Sequence, residues 1–178
     1  MRRLVLLAPA VALVAGCGAT VVSGTASPSP PSASASAGAA AADLPPAPEP
    51  GSTAQCPYLK SDFVADSNGQ HVSKVRVSAD RPHPACFFYR PDGKIQLTVQ
   101  VYVGTGEVAT GLVNRAAPID SSNPANDPTG WKGGYEPTDD GAVYAVAKGP
   151  NAVIVTTNQK QSIKARTVAK QAIAALKL

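Results

Sequence analysis

The sequence predicts an α+β domain: an antiparallel, meandering sheet of about five to six strands covered by about three helices, with one disulfide. Three observations carry this. Across Ile95–Val103, Ile95, Leu97, Val99, Val101 and Val103 alternate with Gln96, Thr98, Gln100 and Tyr102, the period of two that belongs to a strand with one face on a core. Near the end of the chain Ala169, Ala172, Ile173 and Leu176 recur at helical spacing, with Lys164, Arg166, Lys170 and Lys177 mostly elsewhere. Between such segments, turn-forming clusters separate short apolar runs.

Each element has its own local signal. Residues 57–66 read as a short helix, with Pro57 in the first turn, Leu59 and Phe63 four apart, and Asn68-Gly69 to stop it. Val72, Val75 and Val77 predict a strand, broken by Arg81-Pro82-His83-Pro84. Residues 85–90 form a short aromatic strand, and in Pro91-Asp92-Gly93-Lys94 the Asp-Gly pair supplies the positive φ of a tight hairpin turn. After Ile95–Val103, Gly104-Thr105-Gly106 breaks the chain, and residues 107–117 read as a helix ended by Pro118. Residues 119–134, rich in Pro, Asn and Gly, read as a long loop holding the single tryptophan, Trp131. Strands at 142–147 and 152–157 flank the turn Lys148-Gly149-Pro150-Asn151, and a helix over 162–178 closes the chain.

The start of the chain carries an address. Arg2 and Arg3 precede an apolar run at residues 4–14, followed by Ala15-Gly16-Cys17. The run is about half the length needed to span a bilayer as a helix, so it reads as an export signal over residues 1–16. A small, apolar box ending in cysteine resembles the bacterial lipoprotein signal, which implies cleavage before Cys17 and acyl chains of the palmitate class on that residue. Two or three such chains anchor stably where one does not. The expected location is the outer, extracytoplasmic face of the cell membrane. Removing residues 1–16 takes Arg2 and Arg3, so Lys plus Arg falls from 16 to 14 against 12 acids and the formal charge from +4 to +2. So small a surplus on an exported chain does not argue for nucleic acid.

With Cys17 assigned to lipid, Cys56 and Cys86 remain in an oxidising compartment, which predicts one disulfide. The alternative, a metal pair, would need His71 and His83, and their spacing fits no zinc motif. Residues 18–55 are Ala, Ser, Pro, Gly and Thr with little apolar content. Residues 17–55 therefore read as lipidated Cys17 plus a disordered tether, with a flexible span of about 35 Å. Residues 56–178 read as a single domain.

Several segments resemble a known family: Cys56-Pro57-Tyr58-Leu59, Phe63-Val64-Ala65-Asp66-Ser67-Asn68-Gly69, Val72-Ser73-Lys74-Val75-Arg76-Val77, and the run from Pro84-Ala85-Cys86 to Asp92-Gly93. They look like a domain of unknown function found in secreted mycobacterial and corynebacterial lipoproteins, over the whole of 56–178. The resemblance implies export and an envelope location and carries over no catalytic residue.

No coherent catalytic set stands out. His83 lies between two prolines and His71 beside a glycine turn; each reads first as an exposed side chain. There is no Gly-x-Ser-x-Gly elbow, Ser-x-x-Lys pair or His-Glu-x-x-His helix. Asp139-Asp140-Gly141 reads as a turn, and Gly104-Thr105-Gly106 lacks the glycine and lysine of a phosphate loop. No cofactor or metal is expected. The candidate binding surface is Trp131, Tyr135, Asn123, Asn126 and Lys132, because aromatics with amides suit contacts to a glycan or protein; the competing reading places Trp131 in the core. The expected function is a non-catalytic binding or accessory lipoprotein, with an envelope protein, glycan or lipid as partner. A carrier of a lipid or other apolar ligand is the alternative, and an envelope enzyme a third reading.

Overall fold

The structure, a computed structural model, describes residues 44–127 and 129–178. Its elements are β1 (Ser52–Thr53), α1 (Ser61–Asn68), β2 (Lys74–Val77), β3 (Cys86–Tyr89), β4 (Ile95–Val103), α2 (Gly106–Ala116), β5 (Asn123–Asn126), β6 (Lys132–Thr138), β7 (Gly141–Lys148), β8 (Asn151–Thr157) and α3 (Ser162–Leu176). One antiparallel sheet of eight strands runs in the order β1-β2-β3-β4-β8-β7-β6-β5. Two four-stranded meanders, β1–β4 and β5–β8, are thus joined along a single seam, β4 against β8. The α+β class, the antiparallel sheet, the three helices and the Cys56–Cys86 disulfide agree with expectation; the expected five to six strands are corrected to eight.

The helices divide between the two faces. On one face Ala165, Val168, Ala169 and Ala172 of α3 pack with Val64 of α1 against Val99, Val101, Val153, Val155, Tyr144 and Val146. The buried residues of α3 recur at i, i+3, i+4 and i+7, and three of the four are alanine, which lets the helix axis lie close to the sheet. The other face carries α2, whose Ala109, Leu112 and Val113 pack on Val143, Ala145, Ala152 and Ile154. Thr105 caps α2, its hydroxyl accepting from the amide of Val108 at 3.3 Å. The expected helix at 57–66 begins only at Ser61 and runs to Asn68, where Gly69 takes φ +72° and closes it.

Three strands were hidden in the sequence. β5 (Asn-Pro-Ala-Asn) has no β-branched residue, and its proline, which lacks an amide donor, is tolerated because β5 is the last strand of the sheet. β6 opens Lys-Gly-Gly, which reads as a break. A Cβ on Gly133 would lie 2.9 Å from Val113 Cγ1 and collide with the carbonyl of Ala145; one on Gly134 would lie 3.1 Å from Ala117 Cβ. Close approach of Ala145 in β7, of Ser122, and of Val113 and Ala117 at the end of α2 therefore requires glycine in this strand. The expected loop at 119–134 is corrected to a connection, a strand and a turn that leads into the next strand.

β1 belongs to a segment assigned to the tether from composition. Of that tether, residues 17–43 lie outside the described residues, as does Cys17, but residues 44–55 are packed on the domain. The amides of Gly51 and Ala54 donate to Val77 and Val75 at 3.0 and 3.3 Å, and Arg115 donates to the Pro45 carbonyl at 2.8 Å. Leu44 fills the space left by the missing side chain of Gly111: a Cβ there would lie 2.7 Å from Leu44 Cδ2. Composition alone reads this stretch as unable to bury apolar surface, yet one leucine, hydrogen bonds from Arg115 to Pro45 and from Arg76 to Gly51, and a short edge pairing hold it.

The disulfide joins Cys56, at the end of that strap, to Cys86 in β3, with 5.6 Å between the Cα atoms. Closing a loop over a separation of 30 residues stabilises the domain by about 3–4 kcal/mol on the chain-entropy account.

Removing the strap should be measurable. A chain that starts at residue 56 keeps the disulfide and loses the Leu44 contact, the Arg115 bond and β1. Its stability against urea should fall by about 1–3 kcal/mol relative to a chain starting at residue 40; equal midpoints would show that residues 44–55 contribute nothing.

Candidate functional site

The richest surface chemistry gathers where β6 starts and α3 ends. β5 and β6 form a hairpin, with Asn123 opposite Tyr135 and Asn126 opposite Lys132. Its turn is built by Asp127. The Asp127 carboxylate accepts from the amide and hydroxyl of Thr129 at 3.2 and 2.9 Å, while the amide of Gly130 donates to the Asp127 carbonyl at 3.0 Å and the amide of Asp127 donates to the Trp131 carbonyl at 2.9 Å. Gly130 sits at φ +89°, which a residue with a side chain rarely adopts. The turn thus delivers Trp131 into the core, where it is 1 % exposed.

Beside Trp131 lies an open groove of about 550 Å³, floored by Trp131, Ile173, Ala174 and Leu178 and rimmed by Lys148, Lys170, Lys177 and Asp127. Lys148 Nζ stands 6.0 Å from the centre of the Trp131 ring. Lys170 pairs with Asp127 at 3.5 Å. Hydrogen bonds from Thr129, then the charge of Lys170, hold the Asp127 carboxyl below the usual carboxylate range against an opposing effect of partial burial. Beneath the same loop, burial pushes the Tyr144 phenol up, and Arg166 opposes that shift. On the other side of the hairpin, between α2 and β6, a second groove of about 560 Å³ is lined by Val113, Asn126, Lys132 and Ile119 among others. Ile119 is 81 % exposed.

The residues singled out from the sequence fall on this hairpin in different roles. Trp131 is core, with its edge forming the wall of the first groove. Tyr135 is half-buried against the same core. Asn126 and Lys132 line the second groove, and Asn123 is exposed on the outermost strand. What composition could not supply is the partner of Trp131: Ile173, Ala174, Lys177 and Leu178 come from the far end of the chain. The one available signal was that Ile173 and Leu176 extend the apolar face of α3 past its buried alanines.

Other polar groups serve the fold. Asn68, fully buried, donates to Gln96 Oε1 at 3.0 Å and Asn158 Oδ1 at 3.2 Å, and its own oxygen accepts from Thr157. Gln96 was expected on a polar strand face and is 1 % exposed instead; it donates to the His71 carbonyl at 2.8 Å. Lys164 donates to the Asn68 carbonyl at 2.9 Å. This network ties the end of α1 to β4, β8 and α3. The His83 ring meets Tyr58 edge-on at 6.4 Å, and the Tyr58 hydroxyl is already donated towards Pro84 at 2.9 Å and Val99 at 3.4 Å. Burial raises the Tyr58 phenol pKa far above its ordinary value. Asp139-Asp140 is the two-residue connection between β6 and β7, its backbone held by Lys160. Among the described residues no three His, Cys, Asp or Glu side chains gather as a metal-binding group, and no helix is long and apolar enough to cross a membrane.

A family model described as a domain of unknown function, DUF2020, matches residues 40–178. The chain belongs to the DUF2020 family. The match opens ahead of the strap, as the packing of residues 44–55 requires. No curated protein matches the chain.

In this DUF2020 domain Asp127 offers a direct test of the hairpin turn. Because its folded pKa is lowered, its contribution is complete above the ordinary aspartate pKa and is lost as the pH falls through the lower folded value. Asp127→Ala should lower the melting temperature at pH 7 by about 3–5 °C, read through the fluorescence of Trp131. The difference from the parent chain should close in strong acid; a difference independent of pH would contradict the role given to the carboxylate.

Proposed function

We propose that the chain is an actinobacterial envelope lipoprotein whose DUF2020 domain is a non-catalytic binding module, held outside the cytoplasmic membrane by acyl chains on Cys17. The observation that carries the binding reading is the groove beside Trp131. At about 550 Å³ it has the size of ligand clefts, with an apolar floor and a few polar groups at its rim. The lipidation box and the cysteine usage support the address. The Ala-, Ser- and Pro-rich composition of residues 18–43 supports a spacer role between lipid and domain.

The second reading, a carrier of a lipid or other apolar ligand, draws on the same groove, because its floor is Trp131, Ile173, Ala174 and Leu178. The two readings differ in the fate of the captured ligand, which is retained at the membrane in one and delivered elsewhere in the other. The enzyme reading would need a nucleophile and base held together. His83 faces Tyr58, whose hydroxyl is already committed to backbone carbonyls, so this pair lends that reading no support.

Complementation of a strain lacking the chain tests the proposal. Cys17→Ala should abolish both the mass added at the mature N-terminus and retention in the membrane fraction. The double change His71→Ala with His83→Ala should complement fully, whereas Ala174→Phe, on the exposed side of α3, should not. Failure of the histidine variant at an unaltered melting temperature, with turnover of an envelope substrate by the parent protein, would replace the binding module with an enzyme.

A further inference from the structure

We infer that the groove beside Trp131 takes the hydrocarbon chain of an anionic amphiphile, bound as a single molecule with its carboxylate or phosphate headgroup on Lys148 and Lys177. The inference rests on the binding reading above and specifies its ligand.

The floor and rim differ in chemistry. The floor is Ile173, Ala174 and Leu178, with the nearly fully buried Trp131 at its base, and the aliphatic side chains offer a hydrocarbon chain a surface from which water is displaced. The end of α3 shapes it. Lys177 is the one described residue other than glycine with a left-handed backbone, at φ 56°. Its amide donates to Ala174 at 3.3 Å, and that of Leu178 donates to Ile173 at 3.2 Å. This closure turns Leu178 back onto the core beside Ile173 and Leu176. It also leaves Lys177 at the rim.

Charge selects the headgroup. Lys148, Lys170 and Lys177 border the groove against one acidic side chain, Asp127. Lys170 answers Asp127, and Asp127 is further held by Thr129. Among the described residues Lys148 and Lys177 make no ion pair. An acyl chain with a cationic head would meet repulsion there. A glycan would leave the apolar floor uncovered.

Trp131 is the single tryptophan of the sequence, so its emission reports occupancy of the groove directly. The full extracytoplasmic chain is titrated with dodecanoate, dodecyl phosphate, dodecyltrimethylammonium and dodecanol, each below its micelle concentration. Dodecanoate and dodecyl phosphate should shift the emission saturably, and dodecyltrimethylammonium should bind about tenfold more weakly or not at all. Lys148→Ala with Lys177→Ala should weaken the two anions about tenfold and leave dodecanol unchanged. Ala174→Phe, at an exposed position, should abolish all saturable shifts while keeping the parent melting temperature. A loss of that melting temperature is met by Ala174→Ser, which should retain binding.

Equal affinity for the anionic and cationic amphiphiles, or absence of a saturable shift, would overturn the inference. So would co-sedimentation with phosphatidylglycerol vesicles in the absence of monomer binding, which would make the face a membrane-docking surface. If these titrations fail while Ala174→Phe still fails to complement, the binding module stands and only its ligand is wrong.

Discussion

The seam between β4 and β8 is the pairing on which the rest of the structure depends. Seven residue pairs run from Leu97 opposite Thr157 to Val103 opposite Asn151, and they alone join the two meanders into one sheet. The apolar centre of β8 is buried on both faces: Val153 and Val155 join Val99 and Val101 of β4 under α3, and Ala152 and Ile154 lie under α2, while Thr98, Gln100 and Tyr102 of β4 are half-buried on the α2 side. A strand covered on both sides tolerates neither a register slip nor a polar substitution, since one residue of slip would exchange the two sets. The buried Asn68 network closes one end of this seam from α1, and it leaves no buried side-chain donor or acceptor without a partner among the described residues.

From the seam outward, the packing of the helices sets the position of the groove. α3 lies on β7 and β8 because its buried face is mostly alanine, and α2 comes close to β6 because Gly133 and Gly134 carry no side chains. The hairpin β5–β6 is thereby held between the two helices. Its Asp127 turn sends Trp131 inward under the end of α3. The groove is the space that remains where the helix outlasts its alanines and continues into Ile173, Ala174 and Lys177. Chemistry at the surface is in this way a consequence of packing beneath it, and the same tryptophan serves both.

The sequence was most legible where one physical effect dominated. Strict alternation read β4 to the residue, and a strong turn signal with β-branched runs placed β7 and β8 within a residue at each end. Cysteine arithmetic found the Cys56–Cys86 bridge. Reading failed where tertiary contact overrode local preference. Gly133 and Gly134 look like a break and are instead a close approach; Asn-Pro-Ala-Asn looks like a loop and is an edge strand; Leu44 looks isolated in a proline-rich stretch and has its pocket at Gly111. Of the candidate surface, Trp131, Asn126 and Lys132 line the grooves described, but Ile173, Ala174, Lys177 and Leu178, which complete the first groove, are more than forty positions from Trp131 in sequence. Such a juxtaposition is set by topology and leaves no local pattern to read.

Native-state hydrogen exchange tests the central claim, that one seam unites the domain. The amides of Val99, Val101, Val153 and Val155 should exchange only through global unfolding, with a single free energy that matches denaturant unfolding. Amides of β1 and β5, at the two edges, should exchange faster through local opening. Two distinct free energies, one for β1–β4 and another for β5–β8, with seam amides exchanging before either half unfolds, would contradict the account.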